Sequence, residues 1–409
     1  MKGRIVALTS VTGGRPAAAL LVNGVLEDLI VDAGDGQPLT GEIFAATVIR
    51  RNAKAGGAFL DLGCGASGFL RDAKGTRDGE RVLVQVASQP EPGKAVPVST
   101  RVLYKHRLLI HTPGAPGINV SRQIKDPEER DRLTAGVERA ASPFLDVWRA
   151  EGEATLLDDA AEKAARRRQR IAARGRMLDD GGIIVRAAAE GAPGEIIAEA
   201  LEWPLAARAE AEALLRGGEN DTRLPHDAWQ EAITEWCHPL PDQLLADGSA
   251  AALIDAQTAE GRLDDALAGR VTAARGDPFD ALGVWDMAAT LSAPKVDLAG
   301  GGSIVIEPTT ALVAIDVNTG GDFGPDAGVR ANVEAARLLP RLLRLRGLGG
   351  QVVVDFAPMA KKERRRLEDA LKAALKRDPI ETAAHGFSTM GLYELQRKRE
   401  RRPLVLPFA

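Results

Sequence analysis

The spacing of apolar positions changes from region to region along the chain. Residues 1–38 carry short extended pieces, RIVALTS and AAALLVNGVLEDLIVD, parted by the turn-forming VTGGRP. Over 39–110 the pattern alternates in GEIFAATVIRR, GAFLDLG, SGFL, ERVLVQVAS and VSTRVLYKHRLLIHT, with Gly, Pro and charged turns between. Five short strands in so few residues predict a small Greek-key barrel of the OB type. Helical spacing takes over in PEERDRLTAGVERA and LLDDAAEKAARRRQRIAARGR, and GGIIVRAAA (181–189) reads as a strand opened by glycines. PLPDQLLADGSAAALIDAQTAEGRLDDAL is mixed.

From residue 301 the pattern sharpens. GSIVIEPTTALVAIDVN predicts two strands joined by a turn at Glu307–Thr310. RANVEAARLLPRLLRLR (330–346) predicts a helix with a kink at Pro340 and a glycine cap in GLGG. QVVVDF (351–356) is a buried strand and 361–377 a second helix. Strand, helix and strand in that order imply two parallel neighbours.

That arrangement gives one stretch chemical meaning. In ALVAIDVNTGGDF, Val313, Ile315 and Val317 alternate with Ala314, Asp316 and Asn318, so Asp316 and Asn318 emerge on one face before the turn at Gly320 and Gly321. Asp355 ends the next parallel strand. Ligands of parallel α/β sheets bind at that edge. Two neighbouring carboxylates repel until a hard cation bridges them, and an all-oxygen donor set favours Mg²⁺, with Mn²⁺ as its alternative. Capping of the following helix is the competing use of such aspartates. Arg344, Arg346, Lys361 and Lys362 are candidates to hold a phosphodiester.

At 409 residues, with 45% hydrophobic and 27% charged positions, two to four globular domains are expected. Neither an apolar run of membrane-span length nor a signal peptide is evident, and a cytoplasmic setting is expected. Cys64 and Cys237 form no CxxC pair. Cys237–His238 reads either as a metal or nucleophile pair or as a buried thiol beside an ordinary histidine. The net charge of −4 is unevenly spread. Residues 335–409 hold 17 Lys and Arg against 8 Asp and Glu, on an otherwise acidic chain. Such asymmetry suits either an anionic partner or a solvated basic helix.

The barrel region carries a second signal. Phe59 shares the polar face with Asp61, while Leu60 and Leu62 point the other way; Phe69 and Lys94 follow. Aromatics beside a lysine suit stacking of unpaired bases, and a core role is the alternative for either ring. Arg122 in GINVSRQI and Arg186 in GGIIVRAAA lie near glycines, where each could grip a phosphate or form a surface ion pair.

Together these segments resemble the ribonuclease E/G family over nearly the whole chain, most specifically in ALVAIDVNTGGDF, NVEAARLLPRLLRLRGLGGQVVVDFAPM and FSTMGLYELQRKR. The resemblance implies a mixed α+β and α/β multidomain chain. Its parts would be a split ribonuclease H-like domain (1–38 and 226–290), an inserted S1 barrel (39–115), a 5′-sensor-like region (116–225) and a deoxyribonuclease I-like catalytic domain (291–409). It implies Asp316, Asn318 and Asp355 as the catalytic site, with Mg²⁺ on the two aspartates. It places the S1 contacts with RNA at Phe59, Phe69 and Lys94, and carries over the arginine at Arg186. The family's CPxCxG zinc-link has no counterpart before RPLVLPFA, so neither zinc nor a zinc-linked tetramer is expected, and a homodimer would use other surfaces. The sensor is altered: Ala187 follows Arg186 in place of threonine, and Thr389 stands where an arginine is expected. The implied activity is Mg²⁺-dependent endonucleolytic cleavage of single-stranded RNA, leaving a 5′-phosphate and a 3′-hydroxyl. A non-catalytic RNA-binding protein and a phosphoesterase for small substrates are the alternatives.

Overall fold

The computed structural model describes residues 2–52, 56–153, 181–217, 223–259, 263–321, 324 and 326–406. The stretch 156–176, whose spacing predicts a helix, lies outside them. Strands β1 (Arg4–Val11), β2 (Arg15–Val22) and β3 (Val25–Val31) run antiparallel in sequence. The apolar run 17–32 is therefore two strands. Asn23 (φ 52°) and Gly24 (φ 79°) turn it with positive φ at both positions, which matches the twist of a tight hairpin.

The chain then builds a barrel from β4 (Ile43–Asn52), β5 (Gly57–Asp61), β6 (Ser67–Arg71), β7 (Arg81–Val86) and β8 (Val96–Ser99). β4 pairs with both β5 and β7, closing a five-strand barrel of S1/OB type. Ala58, Leu60, Leu62 and Leu70 fill it with Phe44 and Val84.

The segment VSTRVLYKHRLLIHT, expected as one strand, divides. Its first residues finish β8, whereas β9 (Tyr104–Lys105) and β10 (Leu109–Pro113) join β11 (Gly117–Val120) and β12 (Gly181–Val185) in a separate sheet. Helices α1 (Pro127–Glu153) and α2 (Gly194–Arg216) belong to this unit; Leu133 and Val137 of α1 and Ile197 and Leu201 of α2 share a core with Ile183 and Val185.

β13 (Arg223–Leu224) adds to β4. Helix α3 (Ala228–Glu231) opens with a capping box between Asp227 and Gln230. β14 (Gln243–Ala246) and β15 (Val271–Ala273) return to the first sheet, whose order is β15-β14-β1-β2-β3. Val6, Leu8 and Leu244 face Trp229, Trp236 and Ile254 of one layer, and Ile5, Ala7 and Leu26 face Phe279 and Val284 of the other. Covered on both faces, β1 has no polar alternation to keep.

The last unit is a six-stranded sheet of order β16-β17-β18-β19-β21-β20. Its strands are β16 (Lys295–Asp297), β17 (Ser303–Pro308), β18 (Val313–Asn318), β19 (Gly350–Asp355), β20 (Thr382–Phe387) and β21 (Tyr393–Arg397). β18 and β19 are parallel, and the other pairs are antiparallel. The long helices α4 (Ala327–Leu345) and α5 (Arg364–Arg377) pack on one face, where Leu339, Leu342, Leu343, Leu367 and Leu371 meet Ile315, Val352 and Val354. Along the other face Asp316, Asn318, Gln351, Asp355, Glu394 and Gln396 are exposed. Among the described residues, no helix is long and apolar enough to cross a membrane.

α4 stops at Gly347 (φ 63°). Leu348 N–H donates to Leu343 O (2.8 Å) and Gly347 N–H to Arg344 O (3.0 Å), the paired bonds of a glycine C-cap.

Candidate functional site

The register of β18 and β19 sets the geometry. Asp316 and Asp355 are direct partners across the one parallel pair in the last sheet, so their Cα atoms sit about 5 Å apart on one face. Both side chains are exposed. Asn318, two residues on and on the same face, donates from Nδ2 to Asp316 Oδ2 at 2.6 Å. That bond fixes the rotation of the Asp316 carboxylate. Two exposed carboxylates at this spacing fit a small hard cation that keeps most of its waters and takes substrate phosphate oxygens, the usual manner of Mg²⁺. Among the described residues no group of three or more His, Cys, Asp or Glu is gathered for a metal, so the pair is the candidate donor set.

The backbone around the pair is held by elements that periodicity alone does not reveal. Glu334 of α4 accepts from Ala299 N–H (2.6 Å) and Gly300 N–H (3.1 Å), pinning the loop before β17. That loop lies so close to the end of β18 that a Cβ on Gly302 would strike Asn318 O, and one on Gly320 would strike Gly301 O. Gly320 of the TGG turn, with Gly302 opposite it, therefore provides close approach as well as flexibility.

The basic residues assigned to phosphate divide. Lys361 and Lys362 are exposed beyond the Asp355 end of β19. Arg344 and Arg346 are buried, which corrects their reading as backbone-holding groups. Arg344 pairs with Asp28 Oδ2 (3.1 Å) and with Asp378, and donates to Glu27 O (2.7 Å). Arg346 donates to Leu291 O (3.0 Å) and Ala293 O (2.7 Å). Arg397 meets Asp378 at 3.0 Å, and Arg401 and Arg402 pair with Asp28 and Asp35. Arg344, Arg401 and Arg402 thus carry part of the C-terminal positive charge to Asp28 and Asp35 by the N-terminal sheet, where a carboxylate partner offsets the cost of burying a guanidinium.

On the barrel, Phe59 and Phe69 are half-buried cross-strand partners with ring centroids 5.2 Å apart. Arg50 pairs with Phe59 and lies 5.8 Å from its ring centre, and Pro97 pairs with Phe69. Neither ring belongs to the barrel core, where Leu60 and Leu70 sit. Four strands therefore present a continuous outer strip of Arg50, Phe59, Phe69 and Pro97. Periodicity pointed to the two rings; the arginine and the proline join only through strand pairing. Lys94 is exposed in the loop before β8 and pairs with Glu91 at 2.5 Å, a contact that holds the Glu91 carboxyl below the usual range.

The remaining candidates separate by exposure. Arg122 is exposed in the turn after β11. Arg186 is half-buried and held: Glu235 meets it at 2.5 Å, Lys105 meets the other Glu235 oxygen at 3.0 Å, and the Arg186 guanidinium donates to His106 O and Thr234 O. Cys237 is fully buried, its Sγ–H directed at Ala232 O (3.6 Å), and burial pushes the thiol up to about 12. His238 beside it is exposed, which favours the reading of a buried thiol beside an ordinary histidine.

A family model described as Ribonuclease E/G family matches residues 158–400, more than half of the chain. The chain belongs to the ribonuclease E/G family. Ribonuclease G of Escherichia coli K12 is 26% identical over 97% of this chain and 80% of its own length. Ribonuclease G of Haemophilus influenzae is 27% identical over the same shares. Ribonuclease E of a Synechocystis strain is 26% identical over 94% of this chain and 55% of its own length. The ribonuclease E/G match contains the Asp316–Asn318–Asp355 group and starts beyond the barrel, which the ribonuclease G alignments extend far enough to require in large part.

Proposed function

We propose that this protein is a divalent-metal-dependent endoribonuclease acting on single-stranded RNA. The observation that carries the reading is the direct pairing of Asp316 with Asp355 on an open sheet face, with Asn318 bonded to Asp316. Asp316 and Asp355 would hold Mg²⁺, or Mn²⁺ in its place. Bound there, the ion supplies a more acidic water and charge neutralisation at phosphate. Asn318 keeps the Asp316 carboxylate in one rotation and offers its remaining amide capacity to the scissile phosphate. Lys361 and Lys362 attract the strand to that sheet edge. Cleavage by water leaves a 5′-phosphate and a 3′-hydroxyl.

The barrel strip of Phe59 and Phe69 stacks unpaired bases, with Arg50, Lys94 and the exposed Arg122 near the phosphates. The domain reading follows the same family pattern. A ribonuclease H-like unit spans 1–38 and 226–290, and its split is supported by β14 pairing onto β1 and β15 onto β14. An S1 barrel occupies 39–115, a sensor-like region 116–225 and a deoxyribonuclease I-like unit 291–409. Arg186, already answered by Glu235, is a clamp within the sensor-like region, so cutting proceeds without reading the 5′ end of the RNA. The working form is a cytoplasmic protein, and a homodimer would form through surfaces other than the sheet face that carries Asp316 and Asp355.

The test is cleavage of an unstructured RNA with Mg²⁺, with Mn²⁺ and with EDTA, beside Asp316→Asn and Asp355→Asn. Internal cuts that need the metal and are lost in both variants are expected. Full activity in either variant excludes the site. Tight RNA binding without a metal-dependent product favours the non-catalytic alternative.

A further inference from the structure

Asn332 sits among Ala331, Val333, Ala335 and Ala336 on α4 and is fully buried. A buried amide is costly unless both its ends are used. Here both are used on one residue: Nδ2 donates to Ala357 O (2.8 Å) and Oδ1 accepts from Ala357 N–H (2.9 Å). Ala357 lies two residues beyond Asp355, where β19 has left its pairing with β18 and β21. The side chain therefore supplies the hydrogen bonds that a neighbouring strand would have given. One helical turn earlier, Gly328 leaves room for the same segment: a Cβ there would strike Pro358 O. Positions four apart share one helix face. Gly328 and Asn332 together form a seat for the chain leaving Asp355.

We infer that Asn332 is a positioning residue for the metal-binding pair, setting where Asp355 stands relative to Asp316 by holding the Ala357 backbone. This rests on the reading of Asp316 and Asp355 as metal ligands. Asn332 itself reaches neither RNA nor ion. Packing alone does not account for it, because leucine has nearly the same shape and would suit the apolar surroundings better; only an amide answers both backbone groups.

The test uses the full chain with Asn332→Leu, which keeps the shape and loses both bonds, Asn332→Asp, which keeps only the acceptor, and Gly328→Ala, which crowds the seat from its other end. Four quantities are read: Mn²⁺ binding by electron paramagnetic resonance without RNA, the Mg²⁺ concentration for half-maximal cleavage, RNA affinity in EDTA, and thermal unfolding. Asn332→Leu should bind Mn²⁺ on the order of tenfold more weakly and need correspondingly more Mg²⁺, as removal of groups that orient metal ligands does elsewhere. Asn332→Asp, which sets an acceptor against Ala357 O at a fully buried position, should be at least as impaired as Asn332→Leu, Gly328→Ala should reproduce the defect, and RNA affinity in EDTA should not change. Folded Asn332→Leu with unaltered Mn²⁺ affinity and Mg²⁺ requirement overturns the inference; where that variant does not fold, the same result in Asn332→Asp and Gly328→Ala overturns it. Loss of Mn²⁺ binding in Asp355→Asn separates the two levels. If the parent binds no Mn²⁺, or Asp355→Asn binds it equally well, the metal reading itself fails and this inference falls with it.

Discussion

Phe59 illustrates what one residue can and cannot say. Its place on the polar face of GAFLDLG marks it as unusual, but a ring on a small barrel could equally fill the core. Pairing with Phe69 across β5 and β6, outside the core of Leu60 and Leu70, gives the two rings one outer surface. Base stacking on such rings contributes about 1–3 kcal/mol per base. Phe59→Ala and Phe69→Ala should each weaken binding of an unstructured RNA by roughly five- to a hundredfold, with Mn²⁺ affinity unchanged. Fluorescence anisotropy in EDTA checks the first and metal titration the second. Arg344 teaches the opposite lesson: a basic residue in a basic segment looks available for phosphate until Asp28 and Asp378 close on it.

At the scale of elements, the strand–helix–strand unit over 313–355 was legible because its alternation and its helical period are both strong. The glycine stop was legible as well, and its strictness comes from two causes. Gly347 has a positive φ, and a Cβ there would collide with Arg402 O. Gly347→Ala should therefore destabilise by more than the roughly 1 kcal/mol that a glycine-to-alanine change carries through φ alone, and its thermal midpoint should drop by several degrees in a calorimetric scan. A midpoint equal to the parent's would show that the C-terminal segment moves aside freely. Less legible were the short pieces. Residues 98–112 read as one strand because apolar positions recur throughout, yet β8 and β10 belong to different sheets, and period alone carries no address for a partner.

The whole molecule places charges where local sequence gives no hint. Asp32 follows β3, is buried, and borders a cavity of about 160 Å³ with Lys105, His226 and Arg402. Burial pushes its carboxyl up to about 7, and the N–H of Ala228 at 3.3 Å offsets this only in part. The unfolded chain releases this proton near pH 4 while the folded protein keeps it to about pH 7. Stability should fall as pH rises across that window, by a few kcal/mol at most, and level off above it. Asp32→Asn should remove that part of the slope and raise the thermal midpoint above pH 7; an unchanged slope would show that Asp32 ionises freely in the folded protein.

By itself, the sequence determined the alternation that exposes Asp316 and Asn318, the parallel unit that brings Asp355 beside them, and the five-stranded count of the barrel. These follow from periodicity and turn chemistry, which act over a few residues. Only the tertiary structure decided that β14 completes the sheet begun by β1, that the C-terminal arginines answer Asp28, Asp35 and Asp378, and that Asn332 holds the backbone beyond Asp355. Those outcomes depend on which distant surfaces meet. A buried charge or amide is stable only beside a partner that the neighbouring sequence does not contain.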